Sequence, residues 1–158
     1  MPDYRIIHYT ITGRTLKEAA NQFKFWEKAV QMASETRASY SNNYTTIRRG
    51  RNMIVSSCTI NVDIEVEIPI WSNLSRSSVA AQREWNRFMK ATMVHEMGHV
   101  NKYLSIKNAS RLVIGMREDD ANARISNLWN TIENAQDVYD TKTSHGATQH
   151  ATLNESII

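Results

Sequence analysis

The sequence predicts an α+β fold in which a small, mostly antiparallel sheet packs on long helices. Residues 60–70 alternate strictly between apolar and polar side chains, and a period of two indicates a strand with one buried face. Residues 79–103 and 117–137 instead carry apolar side chains at helical spacing. Strands in the first half and long helices in the second are typical of an α+β domain. A chain of 158 residues is sized for one such domain, residues 1–158.

The first predicted elements are a strand and a helix. Residues 4–11 are rich in β-branched and aromatic side chains and predict a strand that Gly13 ends. Thr15 and Glu18 then follow the capping-box pattern, in which two side chains bond the free backbone N–H groups at a helix start. Apolar residues at helical spacing predict that this helix covers residues 16–34.

A turn and a long strand follow. The sequence RRGR at 48–51 is the only dense cluster of basic residues and predicts a solvated turn. The apolar side chains of the strand after it fall on one face: Ile60, Val62, Ile64, Val66, Ile68 and Ile70. Pro69 has no N–H to give to a ladder of hydrogen bonds, so we expect this end of the strand to lie at a sheet edge.

Two helices fill most of the second half. After a polar loop at 72–78, the helix of residues 79–103 has an apolar pattern compatible with an extension to residue 114. Gly115 interrupts it, and the helix of residues 117–137 follows. The tail beyond has no clear period, so we expect a loop there with a short strand at its end.

The first long helix contains the sequence HEMGH, whose spacing is that of a catalytic zinc site. His95 and His99 are four residues apart, so their rings lie on one face of the helix and can bind one ion. Zinc accepts imidazole nitrogen at about 2.0–2.1 Å. Glu96 lies to one side of the pair and can take a proton from a water on the metal. Gly98 costs about 1 kcal/mol relative to Ala inside a helix, which indicates a packing or functional reason for it.

Two histidines need a third protein ligand, because a catalytic zinc site has three ligands and one open position. The residues directly after His99 contain no histidine at the metzincin spacing. Spacing alone leaves Glu118, at the start of the next helix, and Asp140, His145 and His150 of the tail as alternatives.

Composition limits the partners. The net charge is +3 and the isoelectric point is about 9.1, but there is no basic stripe set with aromatic residues, so we expect no nucleic-acid partner. No window approaches 18 apolar residues, so we expect no membrane span.

Cys58 is the only cysteine and excludes both an intramolecular disulfide and a cysteine-rich zinc site. The N-terminal residues lack a signal-peptide layout, so we expect a protein that is not exported or one whose export signal has been removed.

Four stretches spread over nearly the whole chain carry a family resemblance: YTITG in the first strand, SCTINVDIEVEIPIW before the metal helix, HEMGH within it, and YDTKTSHGATQHATL in the tail. With these stretches the sequence resembles the bacterial family known as domain of unknown function nine-twenty-two, described as predicted secreted zinc-dependent proteases. The resemblance implies a zincin-like metalloprotease domain with one catalytic Zn²⁺ ion and a peptide or protein substrate. It also implies a secreted or periplasmic location, with the cytoplasm as the alternative.

The tail motif supplies further site residues. The family pattern Y-D-x-x-T-x-H-G is matched by Tyr139, Asp140, Thr143, His145 and Gly146. The resemblance implies His145 as the third zinc ligand, with Glu118 and Asp140 as alternatives. The sequence departs from the family pattern twice. Family members often have a second cysteine to pair with the one at Cys58, and this sequence has none. A glycine is usual at the position of His150, and His150 is here either a surface histidine or an extra ligand.

Together these residues predict zinc-assisted hydrolysis of a peptide bond. Glu96 would serve as the general base. Tyr139 would either donate a hydrogen bond to the oxyanion of the reaction or anchor the tail to the core. The substrate would pair as a further strand along the edge at residues 69–71. The competing hypotheses are a non-catalytic binding module and a zinc hydrolase of peptide cross-links in the cell wall, and the oligomeric state stays open.

Overall fold

A three-stranded sheet and two long helices form the framework of the computed structural model, which describes residues 3–158. The elements run in this order: β1 (Arg5–Ile11), α1 (Leu16–Ala20), β2 (Phe25–Glu27), β3 (Val30–Met32), β4 (Glu35–Arg49), β5 (Asn52–Trp71), α2 (Val79–Leu104), α3 (Ala109–Leu112) and α4 (Glu118–Thr143). Single 3₁₀ turns cover Leu74–Arg76, Ser105–Asn108 and Ala147–Gln149. The predicted α+β class is confirmed.

The sheet is mixed, with the strand order β1-β5-β4. β5 pairs with β1 in parallel and with β4 in an antiparallel hairpin, and the antiparallel ladder is the longer of the two. The expectation of a mostly antiparallel sheet missed the parallel neighbour, because a period of two reveals a buried face but not the direction of the adjacent strands. The turn between β4 and β5 is the RRGR sequence, in which Gly50 has a φ of 61°.

β5 is the central strand and is longer than the predicted strand of residues 60–70. Its buried side chains include Ile60, Ile64, Val66 and Ile68. The ladder between β5 and β4 stops at the pair Glu35–Glu67, so beyond Glu67 only β1 lies beside the strand. Pro69 lies on this one-sided end, as its missing N–H requires.

The predicted helix over residues 16–34 is correct only at its start. α1 has the expected cap, since the Thr15 hydroxyl accepts a hydrogen bond from the N–H of Glu18 at 3.1 Å. The helix ends after five residues, and Phe23 beyond it packs on Phe88 of α2 with ring centroids 5.7 Å apart. The apolar spacing of this segment therefore reflects burial in the core, and tertiary packing has overridden helix propensity.

Residues 25–32 form a hairpin of β2 and β3 where the rest of that helix was predicted. The two turn residues, Lys28 and Ala29, have φ values of 45° and 68°, and positive φ at both positions is typical of a tight type I′ turn. Trp26 on β2 is 64% exposed. The hairpin thus presents an aromatic side chain to solvent, and it places Glu27 at the turn.

α2 and α4 confirm the two long helices predicted from the sequence. Ser78 caps α2, and its hydroxyl accepts a hydrogen bond from the N–H of Ala81. α4 continues to Thr143, well beyond the predicted end at residue 137. Both helices cover the buried face of β5, where Tyr103 of α2 packs on Trp129 of α4 with ring centroids 5.3 Å apart. Between residues 3 and 158, none of the helices has the length and apolar character needed to cross a membrane.

The tail after α4 lies along α2 and contains a 3₁₀ turn, and in the part of the chain described it has no strand, so the predicted short strand is wrong. Arg87 donates to the backbone oxygens of His150 and Thr152 at 2.7 and 2.6 Å. Glu84 pairs with Arg87 and accepts from the N–H of Asn154 at 2.7 Å. One charged pair on α2 therefore holds the tail in place.

Removing the Arg87 side chain should release the tail while the rest of the domain stays folded. Arg87→Ala deprives two tail oxygens and the Glu84 carboxylate of their donor, and we expect the free energy of docking the tail onto α2 to become less favourable by about 1–3 kcal/mol. Limited proteolysis read by mass spectrometry should show new cleavage confined to residues 147–155. Lys90→Ala, one turn further along α2, is the matched control, and equal protection of the tail in both variants would contradict the role given to Arg87.

Candidate metal centre

The interface between α2 and α4 brings together polar residues that are far apart in the sequence. α2 supplies His95, Glu96 and His99, all of them buried. Asp140 lies in the last turn of α4 and is half-buried against both imidazole rings. The helical periodicity that predicted α2 correctly placed the two histidines on one face.

Three donor atoms converge in this interface. Asp140 Oδ1 lies 2.9 Å from His99 Nε2 and 3.2 Å from His95 Nε2, and the two Nε2 atoms are 3.3 Å apart. Two ligands of a tetrahedral zinc ion, each about 2.0–2.1 Å from it, are about 3.4 Å apart. The three donors therefore have close to the separation that one zinc ion requires of its ligands.

The structure brings Asp140, and not His145, into this group. The donor atoms of His95, His99 and Asp140 all lie within 4.8 Å of one another, and among the described residues His145 does not join that set. His145 Nδ1 instead lies 3.9 Å from Asp140 Oδ1 and 3.5 Å from Glu27 Oε2. The expected third ligand is thus a neighbour of the group, and the alternative Asp140 is the residue whose oxygen lies beside both imidazole nitrogens.

The two remaining alternatives lie elsewhere. Glu118 begins α4 and Asp140 lies near its end, so at 1.5 Å per helical residue about 33 Å separate them. Glu118 therefore cannot share an ion with His95. His150 is exposed and follows the 3₁₀ turn of the tail, which agrees with a surface histidine.

The electrostatics of the group favour a cation. Burial alone would raise the pKa of Asp140, but hydrogen bonds to His95 and His99 hold that pKa far below its usual range. Burial alone would lower the pKa of His99, but hydrogen bonds with Asp140 and Gln136 raise it overall. The carboxylate is therefore ionised at neutral pH, and a divalent ion would supply the positive charge that it attracts.

Two glutamines that sequence reasoning missed orient the imidazole rings. Gln136 Oε1 lies 2.6 Å from His99 Nδ1, and Gln149 Oε1 lies 2.9 Å from His95 Nδ1. With Nδ1–H donating to an amide oxygen, each ring turns Nε2 toward Asp140, and Nε2 is the atom whose lone pair would bind an ion. The sequence could have pointed to Gln136, because it precedes Asp140 by one turn of α4 and so lies on the same helix face. No periodicity in the tail pointed to Gln149.

Two hydroxyl groups hold the carboxylate of Glu96. Ser34 and Thr36 each donate to one of its oxygens at 2.5 Å. Ser34 is the last residue of the segment wrongly predicted as helix and Thr36 is the second residue of β4, and the sequence analysis missed both donors because it did not predict a strand that begins there. Glu96 lines the same small cavity as the three metal-binding donors, so its orientation is fixed beside them.

Tyr139 lies on His95 and accounts for Gly98. The two rings stack with centroids 5.1 Å apart and an angle of 9°. The Tyr139 hydroxyl donates to the backbone oxygen of His95 at 3.1 Å and accepts from Gln149 at 3.0 Å. A Cβ atom at Gly98 would clash with that hydroxyl, which is the packing reason for a glycine inside α2. Of the two roles expected of Tyr139, these contacts display the anchoring role, and donation to an oxyanion stays a prediction.

Gly146 allows the tail to pass directly over His95. Its φ is 87°, and a Cβ atom there would lie 3.0 Å from His95 Cγ. The Thr143 hydroxyl accepts from the N–H of Gly146 at 3.2 Å and donates to the backbone oxygen of Tyr139 at 2.8 Å. The residues of the tail motif therefore hold the last turn of α4 and the start of the tail against the metal-binding helix.

A cavity of about 300 Å³ opens beside His95 and Glu96. Its apolar walls come from several elements and include Phe23, Val30, Met32, Phe88 and Leu153. Polar residues line it as well, among them Thr92, His145 and Glu155, and a concave site that combines apolar walls with polar groups is the usual form of a site for a small molecule or a substrate side chain.

The comparisons with known proteins identify the family of the chain. A family model described as bacterial protein of unknown function (DUF922) matches residues 6–146. The match covers most of the chain, so the protein belongs to this family, and the family resemblance stated from the motifs is confirmed. No curated protein and no solved structure matches the chain.

Gly98→Ala should destabilise the protein although alanine is the better helix former. Intrinsic propensity favours alanine by about 1 kcal/mol, but overpacking against Tyr139 costs about 1–3 kcal/mol. We expect a lower Tm for Gly98→Ala and a neutral or raised Tm when the same change is made in a Tyr139→Ala background. Additive effects of the two substitutions in thermal denaturation would rule out the contact as the cause.

Gln136→Ala should weaken zinc binding by about 10–100-fold, because His99 loses the acceptor that orients its ring. Calorimetric titration of the metal-free protein measures this directly. Gln136→Glu keeps an acceptor at the same place and should retain an affinity within a few-fold of the original. The same loss in both variants would mean that packing, and not the hydrogen bond, sets the affinity.

Proposed function

We propose that the protein is a zinc-dependent peptide-bond hydrolase whose ion is held by His95, His99 and Asp140. One observation carries the proposal: the donor atoms of these residues lie 2.9, 3.2 and 3.3 Å from one another beside the buried carboxylate of Glu96. The residues fit zinc in kind as well as in spacing, since zinc binds imidazole and carboxylate ligands. With HEMGH on a helix beneath a sheet, we also interpret the fold as zincin-like.

The ligand count supports a catalytic rather than a structural ion. Three protein ligands leave one coordination position open, whereas structural zinc sites are closed by four. Bound at this position, zinc would lower the pKa of a water to about 7 and polarise a substrate carbonyl. The amides of Gln136 and Gln149 keep both imidazoles turned toward that position.

Glu96 is the residue that would move the proton. Ser34 and Thr36 hold its carboxylate beside the metal-binding group, where one oxygen can accept a proton from the attacking water and later deliver it to the leaving nitrogen. Glu96 is 3% exposed, so bulk water has little access to the carboxylate and does not compete for the proton. A catalytic base needs this combination of fixed geometry and seclusion.

The surroundings of the site support a peptide substrate. The cavity beside His95 and Glu96 offers space for a side chain next to the scissile bond. β4 is an edge strand, and Thr36 near its start contacts Glu96. A peptide can pair its backbone with that free edge. We therefore assign substrate pairing to β4 and not to the one-sided end of β5 at residues 69–71, because β4 is the edge strand that contacts Glu96.

A secreted or periplasmic location, which the family resemblance implies, belongs to this proposal. Protein substrates and the peptide cross-links of the cell wall are both accessible there, so the two substrates have to be compared directly. Incubation of the zinc-loaded protein with casein and with purified cell wall separates a general peptidase from a cross-link hydrolase, and a binding module would act on neither.

Glu96→Gln should abolish turnover and leave zinc bound. Loss of the base lowers the rate by about 10²–10⁴-fold. The ligands are untouched, so one equivalent of zinc should stay bound at His95, His99 and Asp140. Glu118→Gln at the far end of α4 is the control and should keep full activity. Unchanged hydrolysis in Glu96→Gln would remove the base from the mechanism.

Asp140→Ala should lose the tightly bound ion, and His145→Ala should keep it. Removing one of three ligands costs more than the roughly 10–100-fold that removal of an outer hydrogen-bond partner costs. Metal content after dialysis against a weak chelator is the measurement. The opposite result, tightly bound zinc in Asp140→Ala and none in His145→Ala, would make His145 the third ligand, as the family resemblance implied.

A further inference from the structure

A second set of possible ligands lies on the other side of Asp140. The donor atoms of Glu27, Asp140 and His145 all lie within 4.8 Å of one another. They come from three separate parts of the fold: the turn of the β2–β3 hairpin, the last turn of α4, and the residue just beyond its left-handed end. Nothing in the proposed hydrolysis uses Glu27 or His145.

The spacing of this second set is wider than that of the first but suits an ion. His145 Nδ1 lies 3.5 Å from Glu27 Oε2 and 3.9 Å from Asp140 Oδ1. These separations are too long for hydrogen bonds. They are close to the roughly 3.4 Å expected between two ligands of one tetrahedral ion.

The surroundings of His145 Nδ1 also favour a bound ion at this place. Its Nδ1 atom is buried from solvent and has no hydrogen-bond partner, although its side chain as a whole is 25% exposed. A buried polar atom without a partner is uncommon in folded proteins and calls for an explanation. A metal ion between this nitrogen and the two carboxylates would supply the missing partner.

Charge and position also favour an ion at this place. Glu27 and Asp140 bring two carboxylates to a single imidazole, and imidazole with carboxylate suits zinc and manganese. Asp140 Oδ1 is the atom that lies close to His95, His99 and His145 alike. A carboxylate in that position can bridge two ions and offset their mutual repulsion, as in two-metal sites with ions about 3.5–4 Å apart.

We propose that Glu27, Asp140 and His145 bind a second divalent transition-metal ion and that Asp140 bridges it to the first. This rests on the proposed zinc ion at His95, His99 and Asp140. The second ion is the weaker one, because its site has a single imidazole and its other residues are more exposed than the two histidines of α2. It lies at the end of the hairpin, next to the cavity that His145 also lines.

Titration of the metal-free protein with Zn²⁺ tests the proposal. The wild type should bind two equivalents, one tight and one at least tenfold weaker. Glu27→Gln and His145→Ala should each keep the tight equivalent and weaken the second by tenfold or more. His150→Ala, in the same tail, and Glu118→Gln, at the far end of α4, are matched controls and should keep both equivalents.

A second measurement tests the bridge. With two equivalents of Mn²⁺, electron paramagnetic resonance should show coupling between neighbouring ions in the wild type and in His150→Ala. Glu27→Gln and His145→Ala should show an isolated ion. Circular dichroism of each variant confirms that it is folded before its metal content is interpreted.

The possible results separate this proposal from the proposed function. A single tight equivalent in the wild type overturns the second site and leaves the hydrolase proposal intact, with Glu27 and His145 forming an ion pair. Loss of the tight equivalent in His145→Ala also overturns it, because His145 would then hold the first ion. Failure of the wild type to bind any Zn²⁺ refutes both proposals together.

Discussion

The site and the helix pair beneath it both depend on the contact of one carboxylate with two imidazoles. Asp140 reaches from α4 to His95 and His99 of α2 at hydrogen-bond distance, and every other polar group nearby is arranged around these three. An ionised carboxylate in an interface is costly unless it is paired and fully hydrogen-bonded. Both imidazoles contact its Oδ1, and the amides on their outer nitrogens hold the two rings in place.

The tail motif is the structural counterpart of HEMGH. Asp140 contacts the metal-binding histidines, Tyr139 stacks on one of them, and Thr143 links the backbone of Tyr139 to Gly146. Gly146 gives the chain room to cross the ring of His95. The family pattern is therefore best understood as a single device that fastens the end of α4 and the start of the tail to α2, with ligation as one of its parts.

How much the sequence predicts depends on whether a residue lies in a periodic segment. The strand and helix patterns correctly placed β5, α2 and most of α4, and with them His95, Glu96 and His99. The end of α4 has a weaker pattern that predicts a loop, so spacing does not distinguish Asp140 on its last turn from His145 just beyond it. Asp140 keeps the helical direction that faces α2, whereas His145 follows the left-handed residue Ser144 and itself has a φ of 52°, a change of backbone direction that helical periodicity does not predict.

The β2–β3 hairpin shows the other limit of sequence reasoning. The residues that flank it, Phe23 and Ala33, have helical spacing because they contact a core built from distant parts of the chain, among them Phe88 of α2. Its turn uses positive φ at Lys28 and Ala29, residues that carry none of the usual glycine or asparagine signal. The hydroxyl donors to Glu96 come directly after this segment, so the error in secondary structure also concealed part of the site.

The separation of the ligands along the chain has a consequence for biogenesis. His99 and Asp140 are 41 positions apart, and the amide that orients His95 comes later still, at Gln149. A nascent polypeptide that has completed only α2 exposes two imidazoles and nothing to finish the coordination sphere. In the proposed metalloenzyme, capture of the ion would therefore be one of the last events of maturation, after α4 and the tail have docked.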